Sequence, residues 1–414
     1  YRRLSRRTFL QNSGIGLAAL VGAPAWLPRV AYAQEGTSGR DVIVSIFLRG
    51  GSDGLTLCVP HGDPAYYRAR PALAVPRPDS GRPDAARDLD GFFGLPPGLA
   101  PLLPAYQAGH LLPIHACGLV DETRSHFDAQ RYMEVGKPRD NRLATGWLAR
   151  HLMTTAPVQA HAPLRAMALS DALPQTLLGA PHALAVPQPS DYAGGNGDFD
   201  DAFATLLELY ARTDEPLRTA AENTQRTLDL LEAIDFTGYG PGGDAAYPDD
   251  PFAMALRATA ALLRADAGVE AIAIDVGGWD THENQGNDEG TLAELMSLLG
   301  RGLGAFHADI IGEAGLAVTV VVLSEFGRTI EVNGSAGTDH GHGNAMFLLG
   351  GSVRGGRVLA DWPGLAREQW YQDQDLAITI DYRDILAEVL AQRAGGSDLA
   401  TVFPGYTPTF RGVV

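Results

Sequence analysis

Runs of apolar, β-branched residues recur along the chain, each closed by glycine or a charged residue. Asp41 to Leu48 is nearly continuous (Val42-Ile43-Val44-Ser45-Ile46-Phe47-Leu48) and predicts a central parallel strand covered on both faces. Leu111 to Ala116, Ala271 to Val276, Ala317 to Leu323 and Ala345 to Leu349 predict further strands. Apolar residues at helical spacing fill Phe203 to Tyr210, Leu217 to Ile234, Pro251 to Ala265, about Thr291 to Ile311 and Arg383 to Gln392. Ser125 predicts the cap of another helix, whose apolar and aromatic positions include Phe127, Tyr132 and Met133. Residues 60–104 are rich in Pro, Gly and Asp and predict surface excursions with little regular structure. Strand and helix alternate in the order expected of a doubly wound, mainly parallel α/β sheet flanked by helices, with a helical insertion over about 190–265. Internal repeats, coiled-coil heptads and low-complexity tracts are absent from the sequence.

The first 33 residues change the picture of where such a domain works. Ser5-Arg6-Arg7-Thr8-Phe9-Leu10 is a twin-arginine pattern, followed by a mildly apolar stretch from Gly14 to Leu27 and a small-x-small site at Ala31-Tyr32-Ala33. Residues 1–33 are therefore expected to be a signal peptide read by the twin-arginine translocase, with residues 34–414 a periplasmic or secreted domain. The apolar stretch is too short and too rich in Gly, Ala and Pro to predict a stable membrane span. The net charge is −17, and removal of the five arginines of the leader takes it to −22. That acidity, without a compensating basic stripe, excludes nucleic acid as the expected partner. It also means that metals or arginines must invert the field wherever an anionic substrate binds. The two cysteines, Cys58 and Cys117, each follow a predicted strand; a disulfide and two buried thiols are both open on spacing alone.

Acidic and histidine residues gather after the predicted strands, where α/β folds place their sites. Asp280-Thr281-His282 follows the strand at 271–276; in an extended segment Asp280 and His282 project to one side, as ligands to one ion require. Glu325 and Arg328 follow the strand at 317–323, Arg328 being a candidate to pair with Glu325 or to meet a substrate oxyanion. Asp339-His340-Gly341-His342 sets two imidazoles among glycines, where they have little packing value and point to ligation. Oxygen and nitrogen ligands without thiolate suit a divalent ion such as Zn²⁺, Mn²⁺ or Ca²⁺. Gly50-Gly51-Ser52-Asp53-Gly54 matches a nucleophile elbow around Ser52, but the chain beyond it is expected to be extended rather than helical. The same loop alternatively offers Asp53 as a ligand, its glycines allowing close approach. Ser125, at a helix start, is the candidate nucleophile, activated by a metal. Arg124 beside it is a candidate for substrate binding, a solvated surface arginine being the alternative.

These segments together resemble one group. The twin-arginine leader, Leu48-Arg49-Gly50-Gly51-Ser52-Asp53-Gly54, Arg124-Ser125-His126-Phe127, Gly278-Trp279-Asp280-Thr281-His282, Ser324-Glu325-Phe326-Gly327-Arg328 and Gly337-Thr338-Asp339-His340-Gly341-His342-Gly343 are similar to an exported bacterial family of uncharacterised proteins, domain of unknown function 1501. That family is placed in the alkaline-phosphatase-like superfamily, with sulfatases, phosphodiesterases and phosphoglycerate mutases. The resemblance implies an alkaline-phosphatase-like fold and a site with one or two divalent metals. It assigns Asp53 to the first ligand position, Ser125 to the nucleophile, Asp280 and His282 to an Asp–His element, Glu325 to a later acidic ligand, and His340 or His342 to the last histidine. The chain departs from the superfamily pattern in the shorter spacing of Asp280 and His282, and in Phe326 where a histidine would follow the acid. The implied activity is metal-dependent hydrolysis or transfer of a phosphate or sulfate ester, on a small molecule or a glycan. A binding or assembly protein of the cell envelope that keeps the fold without catalysis is the alternative.

Overall fold

A computed structural model describes residues 39–189, 208–210, 212, 217–396 and 398–414. The expected signal peptide and part of the expected insertion, from 190 to 207, lie outside the described residues. Ten strands are present among the described residues: β1 (Val42–Leu48), β2 (Arg87–Asp88), β3 (Gly94–Leu95), β4 (Leu111–Gly118), β5 (Ala166–Ala168), β6 (Ala183–Ala185), β7 (Ala271–Val276), β8 (Val318–Leu323), β9 (Asn344–Gly350) and β10 (Ile380–Asp381). Eight form one sheet in the order β10-β4-β9-β8-β1-β7-β5-β6, while β2 and β3 make a separate small ribbon. The apolar run at 42–48 is the central strand, parallel to β7 on one side and to β8 on the other, with Ile43 opposite Ala271 and Thr319. Only β9 runs against its neighbours, β4 and β8. The sheet is thus mainly parallel, as the alternation of elements predicts.

Each face of the sheet is covered. Val44, Ile46, Ile272, Ile274, Val320 and Val322 share one core with the helices Pro251–Arg264 and Thr291–Phe306. Ile43, Phe47, Ala273, Val321 and Leu323 share the opposite core with the helices His126–Val135, Trp147–Thr154 and Tyr382–Arg393. Period-2 alternation along a strand sends neighbours to opposite faces, so a continuous apolar run is what a two-sided burial requires. Each such side chain contributes roughly 1.5–3 kcal/mol on burial.

Three local expectations differ. The helix Pro251–Arg264 belongs to the flanking layer, its Ala253, Leu256 and Ala260 fully buried, and is not a separate cap. Asp53 starts a helical turn at Gly54–Leu57 by accepting from Leu55 N–H, so the chain does not run on extended there. Phe127 is 89% exposed, and the buried positions of its helix begin at Ala129. Cys58 and Cys117 are both buried free thiols. Among the described residues no helix is long and apolar enough to cross a membrane.

Candidate functional site

Because β1, β4, β7 and β8 are parallel to one another and β9 is antiparallel, the segments after the first four and before the last meet at one edge. Two glycines make the approach close. Gly50 has φ +126°, and a Cβ there would lie 2.4 Å from Asp280 N; Gly51 has φ +72°, and a Cβ there would meet the Phe326 ring at 2.4 Å. A side chain at either position would push the loop after β1 away from those after β7 and β8.

Three imidazoles and a carboxylate converge there. His126 Nε2 lies 3.4 Å from Asp280 Oδ2. His282 Nε2 lies 3.0 Å from Asp280 Oδ1 and 3.0 Å from His340 Nε2, which is itself 3.1 Å from Asp280 Oδ1. Ligand atoms of His126, Asp280 and His340 all fall within 4.8 Å of one another. Each imidazole is turned by an acceptor at its other nitrogen. His126 Nδ1 donates to Glu325 Oε1 at 2.8 Å, His282 Nδ1 to Asp339 Oδ1 at 3.0 Å, and His340 Nδ1 to the Arg124 carbonyl at 2.9 Å. With the proton held on Nδ1, every Nε2 of the neutral rings presents a lone pair toward Asp280. His126 Nε2 is buried and has no hydrogen-bond partner. Lone pairs facing a carboxylate at such distances repel unless protons or a cation lie among them. The spacings match the edge of a tetrahedral site with bonds near 2.05 Å, about 3.3 Å.

The surrounding charges tune the cluster. Burial works against the Asp280 carboxylate, but hydrogen bonds from Arg328 and His340 and the charge of Arg328 hold it down at about 2. Glu325 is fully buried, yet hydrogen bonds from His126, Gln130 and the Gly50 N–H outweigh desolvation and keep it below the usual glutamate range. The His126 proton affinity is raised, chiefly by its bond to Glu325. Burial depresses that of His340, against the bond to Asp280.

Of the expected site residues, Asp280, His282 and His340 are therefore in the cluster. Glu325 and Asp339 stand behind it as the partners of His126 and His282. The loop from Glu325 to His342 folds back on itself as expected: Gly341 N–H donates to the Gly327 carbonyl at 2.8 Å and Gly327 N–H to the His342 carbonyl at 3.0 Å.

Five residues have other roles. Asp53 is buried and accepts from Arg70 (2.6 Å), Gln285 (2.7 Å) and Thr56 (2.8 Å), so it is an ion-paired cap and not a ligand. Arg328 is fully buried, donating to the carbonyls of Gly50, Gly51, Thr338 and Trp279 and to Asp280 at 2.6 Å. It fixes Asp280 and cannot reach a substrate. His342 turns away and stacks on Tyr371, ring centroids 4.2 Å apart. Ser125 is an exposed cap whose hydroxyl accepts from Asp128 N–H at 3.5 Å; it makes none of the cluster's contacts. Ser52, the elbow candidate, is buried and accepts from Asn344 at 3.2 Å, with no access for a substrate.

His126 is the residue that sequence reasoning passed over. The signal for it was the neighbouring acid: Glu325 at the end of a buried strand needs a donor, and a histidine in the first turn after β4 supplies one.

The fold and the cluster define an α/β protein with an imidazole–carboxylate centre at the carboxyl ends of its parallel strands. The family model described as a protein of unknown function (DUF1501) matches residues 117–401, and the chain belongs to that family. None of the curated proteins matches the chain.

Proposed function

We propose that the cluster binds one divalent transition-metal ion through His126, Asp280 and His340, with His282 as a further ligand, and that the protein is a metal-dependent hydrolase or transferase of phosphate or sulfate esters. The observation that carries the reading is the convergence of three Nε2 atoms on Asp280, each ring with an acceptor at its Nδ1. This is the carboxylate–histidine arrangement that orients metal ligands. Imidazoles with one carboxylate favour Zn²⁺ or Mn²⁺ over Ca²⁺, which takes oxygen ligands. A bound ion supplies a Lewis acid that polarises an ester oxygen and acidifies water. The chain's own part is to hold the ligands: Glu325, Asp339 and the Arg124 carbonyl keep the protons on Nδ1, and Arg328 keeps Asp280 ionised. Water is the nucleophile this reading favours, since the Ser125 hydroxyl makes none of the cluster's contacts.

The resemblance to the alkaline-phosphatase-like superfamily and the twin-arginine leader support the same reading, with the ion inserted before export to the periplasm. Metal analysis of the purified protein tests it, expecting about one equivalent of Zn or Mn. Hydrolysis of aryl phosphate and aryl sulfate is expected to follow metal content. Protein that holds no divalent ion and gains no activity with added Zn²⁺ or Mn²⁺ would defeat the reading. Full loading without hydrolysis of either ester would leave the binding-protein alternative.

A further inference from the structure

We infer that Arg124 binds the anionic group of the substrate, with His342 and Tyr371 as the wall of that subsite; this rests on the ester-hydrolase reading above. An acidic chain of net charge −17 must supply local positive charge to admit an anion. The arginines around the cluster differ in what they have free. Arg328 is wholly engaged, Arg70 is buried against Asp53, and Arg49 is bracketed by Glu134 at 2.8 Å and Asp275 at 2.9 Å. Arg49 leaves only Nε without a hydrogen bond among the described residues, whereas Arg124 leaves two nitrogens: Nη2 bonds Asp375 at 2.6 Å and Gln372 at 2.9 Å, while Nε is buried without a partner and Nη1 makes no hydrogen bond.

Its place fits the role. The Arg124 carbonyl is the acceptor that turns His340, so the residue borders the cluster directly. Its side chain is partly exposed, yet tethered through the fully buried Asp375, which presents a planar fork without the entropy of a free arginine. Gln372, which accepts from Arg124, donates to the Tyr371 hydroxyl at 3.3 Å, and Tyr371 stacks on His342 at an interplanar angle of 15°. A tethered guanidinium bordering the cluster, with an imidazole and a phenol ring behind it, suits a tetrahedral oxyanion, phosphate or sulfate.

The test uses the full chain loaded with Co²⁺, titrated with inorganic phosphate and separately with sulfate, followed by calorimetry and by the Co²⁺ visible bands. Arg124→Gln should weaken anion binding by about ten- to a hundredfold at unchanged cobalt content, the loss of a charge-assisted contact. Arg124→Lys should recover part of it. Since Arg124→Gln leaves Asp375 unpaired, the double variant Arg124→Gln/Asp375→Asn provides a neutral pair in a folded protein. Tighter binding of one anion than the other identifies the ester class. Equal affinity in the double variant and the wild type overturns the inference, as does a cobalt-loaded wild type that binds neither anion. A chain that takes up no Co²⁺ defeats the metal reading itself, and the inference with it, and metal content alone distinguishes that case.

Discussion

Replacing Glu325 by glutamine should separate the charge behind His126 from the shape that holds it. Glu325 Oε1 accepts from Gly50 N–H (2.9 Å), His126 Nδ1 (2.8 Å) and Gln130 Nε2 (2.8 Å). The other oxygen, Oε2, lies 3.0 Å from Ser324 Oγ, and that hydroxyl also donates to the Leu48 carbonyl at 2.7 Å. A glutamine carbonyl oxygen can keep the first three donors, while its NH₂ faces an Oγ free to accept once its proton goes to Leu48. Glu325→Gln is therefore compatible with every neighbour, and the folded structure should persist. What is lost is the anion that makes His126 a stronger ligand. Removing such a partner typically weakens metal binding by about ten- to a hundredfold, or roughly 1.4–2.8 kcal/mol. Zn²⁺ affinity measured by chelator competition, with the melting temperature of the metal-free protein as control, reads this directly. An affinity within about twofold of wild type in a folded variant would refute the role given to His126. Glu325→Ala should behave differently, leaving buried donors unsatisfied and destabilising even the metal-free chain.

Ser125→Ala should keep both metal and activity and lower stability by about 0.5 kcal/mol, the low end for a cap whose hydrogen bond is long; a collapse of turnover with metal retained would restore the serine as nucleophile. Asp53→Asn should cost about 3–5 kcal/mol by leaving Arg70 buried without its counter-charge, and should leave metal content unchanged once folded; metal loss from folded protein would mark Asp53 as a ligand after all. His340→Ala should abolish metal uptake and His342→Ala should not, as metal analysis of the two variants will show. Burial pushes His115, His151, His307 and His342 down to about 4, below the ordinary value of 6.5. The unfolded chain therefore binds more protons between those values, so stability is fully present above 6.5 and is lost as pH falls toward 4. A melting temperature flat across that window would contradict it.

The strands β1, β4, β7, β8 and β9 were legible because long apolar runs carry both the element type and its two-sided burial, while the two- and three-residue strands β5, β6 and β10 are too short to leave such a run. Asp280 and His282 followed, since residues just past parallel strands must emerge at one edge, and His340 stood out as an imidazole among glycines, where it has little packing value. Asp53 and Arg328 read as site residues for the same reason, and local sequence gave no hint of what they meet. The partners of Asp53, Arg70 and Gln285, come from separate segments, and Arg328 is consumed by backbone carbonyls that no composition reveals. His126 was hidden behind Ser125: a serine before a helix is a familiar signal, while the direction of the next side chain depends on how the helix docks. His342 lies only two residues from His340, but the segment between them follows Gly327 and Arg328 and carries His342 round to Tyr371.

The converging groups come from three stretches far apart in the chain: the helix after β4, the loop after β7 and the segment leading into β9. An ion among them would act as a rivet through the rim of the sheet, closing loops of more than a hundred residues between His126 and Asp280. Such a rivet cannot form on the unfolded polypeptide, where only Asp280 and His282 are neighbours, so loading would have to wait for the rim to assemble. Its removal by a chelator would then register as a drop in melting temperature that grows with the affinity lost. That drop would be visible in crude fractions before any substrate is known.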